Sequence, residues 1–178
     1  MNTLPIAPEW KTSAWLNADV PITLKDLRGK VVVLHTFQML CPGCVSHGLP
    51  QASKIHKVFR DDDVEVIGLH TVFEHHQAMQ LDSLKAFIHE YRLSFPIAVD
   101  APSGGDIPLT MAEYGLPGTP TLILIDKSGQ LRFSHHGIID DMVVAKMITD
   151  LLHEEFSPVT PQATDPFSHC DDEKCSTG

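Results

Sequence analysis

The most constraining feature of this chain is Cys41-Pro42-Gly43-Cys44, which follows the apolar, β-branched run Val31 to Phe37 and precedes a segment of helical periodicity. The run Val31-Val32-Val33-Leu34 reads as a strand covered on both faces. After the cysteines, Val45, Leu49, Ala52, Ile55 and Phe59 recur at intervals of three or four, as on one face of a helix that Pro50 is expected to kink. A strand leading directly into a helix puts Cys41 at the helix N-terminus. There, unpaired amide hydrogens and the helix dipole stabilise an anion, so the Cys41 thiolate is expected to form at lower pH than a free thiol. Cys44 lies a turn deeper. This spacing lets one thiol attack an outside disulfide and the other resolve the mixed disulfide. A permanent disulfide or half of a metal site is the alternative reading.

The other strands and helices are placed around this unit by periodicity. Residues 1–13 read as an irregular lead-in, 14–155 as one α/β domain, and 156–178, rich in Ser, Thr, Pro and Asp, as a flexible cysteine-containing tail. Strands are expected at Val20 to Leu24, Val31 to Phe37, Val64 to Leu69, Pro96 to Val99, Thr121 to Asp126 and Gln130 to Ser134. The last two form a hairpin about Lys127-Ser128-Gly129. Helices are expected at Leu81 to Tyr91, through Met111 to Tyr114, and from Asp140 to Glu155. In the last of these, Val143, Met147, Ile148, Leu151 and Leu152 are expected to face inward. Alternating strands and helices closed by a hairpin and a helix predict a central mixed β-sheet flanked by helices on both faces.

Composition narrows the function. The net charge of −10, with only 13 Lys and Arg, repels phosphate backbones and argues against nucleic acid as a partner. The longest aliphatic stretch is far shorter than a membrane span, so no membrane-spanning segment is expected. The first residues lack the basic start and apolar core of a secretory signal, which gives a cytoplasmic expectation, or a periplasmic one if a leader has been trimmed. The four cysteines fall in two close pairs, Cys41/Cys44 and Cys170/Cys175, which is a pattern of reactive or ligating thiols rather than of structural staples.

At this point the chain resembles the thioredoxin superfamily, and within it the TlpA-like thiol-disulfide oxidoreductases of the redoxin type. The resemblance spans about residues 14–154. It is carried by Leu24 to Leu34 leading to Cys41-Pro42-Gly43-Cys44, by Val66-Ile67-Gly68-Leu69-His70, and by Gly118-Thr119-Pro120-Thr121-Leu122. It implies a thioredoxin-like fold and disulfide exchange with protein or small-molecule disulfides and dithiols, with no cofactor. It also implies that Pro120 is cis and faces the dithiol, with Thr119, Pro42 and Gly43 contacting substrate. His35 occupies the place of a buried acid in thioredoxin, and Glu74 lies where some relatives place a proton-handling glutamate, so both are candidates for proton relay. A core histidine and a solvated loop carboxylate are the plainer readings.

Peroxidases of the peroxiredoxin type share the fold but place Thr or Ser three residues before the reactive cysteine, where this chain has Gln38. Among the 11 histidines, His75-His76, His135-His136 and His169 beside Cys170 suggest metal ligands, but the spacing in the core motif is one residue shorter than in copper-delivery relatives, and no metal is assigned. A non-enzymatic metal or thiol carrier that uses the tail remains as an alternative. Cys170 and Cys175 are a candidate second dithiol able to accept electrons from Cys41/Cys44.

Overall fold

The computed structural model describes residues 4–60 and 63–156. Eleven segments follow one another: β1 Thr12–Leu16, β2 Val31–Phe37, a wide π-helical turn Cys44–Gly48 continuing into α1 Leu49–Val58, β3 Val64–His70, α2 Leu81–Glu90, β4 Ile97–Asp100, α3 Leu109–Glu113, β5 Thr121–Ile125, β6 Leu131–His136 and α4 Asp141–His153. The six strands make one sheet in the order β1-β4-β3-β2-β5-β6. β2, β3 and β4 run parallel, and β1, β5 and β6 add antiparallel to the two sides.

Both faces of the central strands are covered, as their unbroken apolar runs require. Val31, Val33, Val66, Leu122 and Leu124 turn to one face and meet Leu49, Ala52 and Ile55 of α1, Leu84 and Ile88 of α2, and Val144, Ile148 and Leu151 of α4. The alternate residues Val32, Leu34, Ile67, Ile123 and Ile125 turn to the other face, where Met111 of α3 packs with Ala7, Trp10, Leu24 and Leu27. A short helix and the folded N-terminal segment therefore do the work of a longer helix on that side.

Three expectations need correction. Val20 to Leu24 is not a strand: Val20 is exposed, and the Leu24 amide donates to both Glu9 carboxylate oxygens at 2.9 and 3.1 Å. Pro21 and the Thr23–Asp26 side-chain bond at 2.5 Å compete with a ladder there, while Leu24 and Leu27 still reach the core. The first strand instead starts at Thr12, within the expected lead-in. That lead-in is packed down, with Ile6 bridging Gln130 and Trp10 Nε1 donating to Ile22 O at 2.7 Å. In α4 the buried valine is Val144, and Val143 is half exposed.

The expected kink at Pro50 takes a specific form. The Leu49 amide reaches back five residues to Cys44 O, and the α-helical pattern resumes with Pro50 in the first turn of α1, where its missing N–H costs nothing. No helix of the described residues is long and apolar enough to cross a membrane.

Candidate active site

β2 and β5 are antiparallel neighbours, so the carboxyl end of β2, which leads to Cys41, lies beside the amino end of β5, which is preceded by Pro120. Thr36 pins the two. Its hydroxyl donates to Thr121 O at 3.3 Å and accepts from the Thr121 amide at 3.1 Å, inside the core. Two loops distant in sequence are thereby brought together. Cys41 Sγ lies 3.5 Å from Thr119 O, the Thr119–Pro120 bond is cis, and a Cβ on Gly43 would stand 3.3 Å from Pro120 Cδ.

Cys41 and Cys44 are joined as a disulfide, with their Cα atoms 5.2 Å apart. The helical turn begins at Pro42, and the Cys44 amide donates to Cys41 Sγ at 3.2 Å. Cys41 is partly exposed, whereas Cys44 is completely buried. Leu40 and Ile138 stand exposed around this ledge.

His35 sits beneath the ledge on β2, 2% exposed. A Cβ on Gly48 would lie 2.7 Å from His35 Cε1 and 3.2 Å from Pro120 Cβ, so the absence of a side chain at position 48 lets the turn settle on both rings. Burial pushes the His35 pKa down to about 4, opposed by hydrogen bonding to the Thr36 backbone and the Gln51 side chain. Its Nδ1 has no hydrogen-bond partner among the described residues. Gln51 Nε2 donates to Ile139 O at 2.8 Å and to Asp141 Oδ1 at 2.9 Å, and Lys54 holds the other Asp141 oxygen at 2.7 Å. Lys54 and then Gln51 keep the Asp141 carboxyl below its ordinary range. A chain of polar contacts thus runs from the buried imidazole to the surface. It borders a cleft of about 140 Å³ lined by His35, Gly48, Gln51, Pro120, Ile139 and Asp141.

Glu74 is exposed on the loop after β3, and Gln38 Nε2 donates to its Oε1 at 3.5 Å. Gln38 Oε1 accepts from the Phe73 amide at 3.3 Å, and Gln38 O accepts from the Cys41 amide at 3.2 Å. Gln38 therefore couples the Glu74 loop to the dithiol while its own side chain points away from Cys41 towards that loop. Sequence reasoning noted Gln38 only for lacking a hydroxyl, and it missed Gln51 and Asp141 altogether. Ser46 Oγ donates to Pro42 O at 2.8 Å and steadies the turn between the cysteines.

The site thus gathers Cys41, Pro42, Gly43, Cys44, Thr119, Pro120 and His35, with Glu74 attached through Gln38. His135 and His136 are neighbours on β6 and so point to opposite faces; His136 packs on Gly118 and Thr121. Among the described residues no group of three or more His, Cys, Asp or Glu is placed to hold a metal ion. Cys170 and Cys175 lie outside the described residues.

Comparison with known proteins agrees with this arrangement. The AhpC/TSA family model matches residues 6–134. The crystal structure of a thioredoxin-like superfamily protein, 52% identical, superposes with a TM-score of 0.84 over 87% of this chain and 100% of that one. A thiol-disulfide isomerase from Corynebacterium glutamicum, 47% identical, gives 0.82 over the same shares. The thiol-disulfide oxidoreductase ResA of Bacillus thuringiensis is 34% identical over 111 residues, 62% of this chain and 57% of ResA. The chain spans only 16% of the NHL repeat-containing protein 2 of Gallus gallus, which it matches at 34% identity over 67% of its own length. With its six-stranded sheet and a paired Cys41-Cys44 at the end of β2, the chain belongs to the AhpC/TSA family and has the thioredoxin-like fold.

Proposed function

We propose that this chain is a thiol-disulfide oxidoreductase whose working pair is Cys41 and Cys44. The observation that carries this reading is the asymmetry of the pair: Cys41 is partly exposed and its Sγ accepts the Cys44 amide at 3.2 Å, while Cys44 is wholly buried. In the reduced protein the Cys41 thiolate attacks one sulfur of a substrate disulfide. The other substrate sulfur leaves and takes up a proton. Cys44, as thiolate, then attacks Cys41 Sγ, the second substrate thiol departs, and two electrons have passed to the substrate. The opposite direction uses the same bonds in reverse.

The substrate is a protein or small-molecule disulfide. An extended polypeptide would lie between Leu40 and Ile138, with its backbone against Thr119, because this is where the dithiol ledge is open and apolar. His35 is proposed as a transient proton relay for Cys44 rather than a resting acceptor, since burial makes it a weak base while its Nδ1 has no partner among the described residues. Glu74, joined to the dithiol through Gln38, has the weaker case for this role. Reduction of insulin disulfides in the presence of dithiothreitol tests the reading. Turnover abolished in Cys41→Ser, with Cys44→Ser accumulating mixed disulfides, is expected; undiminished turnover in Cys41→Ser overturns it.

A further inference from the structure

We propose that the cavity at the carboxyl ends of β3 and β4 binds a small organic acid, its carboxylate held between the N-terminus of α2 and the His70 ring and its apolar body against the cavity wall. The cavity measures about 260 Å³ and is lined by His70, Val72, Met79, Leu81, Leu84 and Val99, among others. His70 closes β3, is 1% exposed, and has no hydrogen-bond partner at either ring nitrogen among the described residues. Buried polar groups are almost always paired, and one that is not marks a place where a missing partner belongs. The ring packs against Phe37, with centroids 5.2 Å apart.

The second donor set is the start of α2. Gln80, its N-cap, makes no side-chain cap; its side-chain Nε2 instead donates to His76 O at 2.6 Å. The first-turn acid, Asp82, is paired with Lys85 at 3.0 Å on the exposed side. Both Gln80 and Leu81 border the cavity, so an uncapped helix N-terminus opens onto it, and that end favours an anion.

The remaining polar groups limit the charge of the ligand. Asp100 lies in the wall with its oxygens engaged by the Thr110 and Met111 amides at 2.8 and 3.0 Å and by the Thr71 hydroxyl at 2.9 Å. Asp106 and His76 are exposed at the mouth. Two carboxylates so close disfavour a dianion such as phosphate and leave room for a single negative charge. Burial holds the His70 pKa down at about 4, so near neutrality the ring is an uncharged N–H donor. None of the residues assigned to disulfide exchange lines this cavity, so the proposal stands or falls independently of that reading.

The test is a titration of the full-length protein with acetate, butyrate and hexanoate at pH 7, followed by nitrogen-15 NMR. Saturable shifts are expected at the His70 ring nitrogens and at the amides of Leu81, Asp82 and Ser83, with affinity rising about threefold to fourfold per methylene as the apolar wall is covered. His70→Phe is expected to bind about tenfold more weakly, the loss of one hydrogen bond to a charged group. Leu81→Pro removes one amide donor at a position that accepts proline, since Gln80 is already extended at φ −72° and ψ 164°. It is therefore expected to bind more weakly than Leu81→Ala. Shifts that do not saturate, affinity independent of chain length, phosphate binding tighter than hexanoate, or equal affinity in Leu81→Pro and Leu81→Ala would each overturn the proposal.

Discussion

The backbone amide of Cys44 donates to Cys41 Sγ across 3.2 Å. This bond makes the two cysteines unequal before any substrate arrives, because the amide supports charge on Cys41 while Cys44 is wholly buried, where desolvation disfavours the thiolate. After reduction, iodoacetamide is expected to modify Cys41 many times faster than Cys44. Mass spectrometry of the time course checks this, and equal or inverted rates would overturn the assignment of the nucleophile.

Gly48 and Gly43 both approach Pro120, but with different tolerance. Alanine at Gly48 drives a methyl to 2.7 Å from Cε1 of the buried His35 ring and 3.2 Å from Pro120 Cβ, so both must shift; overpacking of this kind costs about 1–3 kcal/mol. Alanine also gains up to about 1 kcal/mol over glycine in a helix. Gly48→Ala is therefore expected to be destabilised despite that gain, and to exchange disulfides more slowly. At Gly43 the 3.3 Å contact to Pro120 Cδ asks only for a small shift, so Gly43→Ala should be near neutral in urea unfolding.

Two buried histidines set an acid limit to stability. His35 and His70 are both lowered from 6.5 to about 4 by burial, so between these values the unfolded chain binds protons that the folded chain does not. Stability is then fully present above about pH 6.5 and falls as the pH drops towards 4, by at most on the order of 3 kcal/mol for each ring. Urea midpoints at pH 7.5, 5.5 and 4.5 should decrease in that order. His70→Phe should flatten the decline by roughly half, and an unchanged slope would show that His70 titrates normally.

Asp100 ties the end of β4 to α3 by accepting from the Thr110 and Met111 amides and the Thr71 hydroxyl. Asp100→Ala orphans these donors in a buried place and is expected to cost about 3 kcal/mol. Asp100→Asn keeps one acceptor oxygen and should lose less. Equilibrium unfolding of the two variants gives the comparison, and a silent Asp100→Ala would refute the role.

The elements legible in the sequence are those made by near neighbours. The turn at Cys41-Pro42-Gly43-Cys44, the periodicity of α1 and α2, and the hairpin of β5 and β6 all depend on bonds spanning a few residues, and their residue types announce them. The failures are long-range. Val20 to Leu24 alternates plausibly, yet the Glu9 carboxylate captures the Leu24 amide from 15 residues away. In α4 the choice between Val143 and Val144 is a rotation of one residue, decided only by what the helix packs against.

The same division runs through the site. The sequence alone determined that two thiols would sit one turn apart at the start of a helix, because that arrangement is local and the helix N-terminus acts on whatever residue occupies it. The apposition of Pro120 with Cys41 was expected only by family resemblance, and it takes physical form through the antiparallel pairing of β2 with β5 and the Thr36–Thr121 bonds across 85 residues of chain. Tertiary structure alone decided that His35 would be linked through Gln51 to Asp141, and that His70 would be buried beside an open cavity with no partner among the described residues. A histidine in a sequence carries no sign of its burial, because its desolvation and its partners are supplied by segments folded against it from elsewhere in the chain.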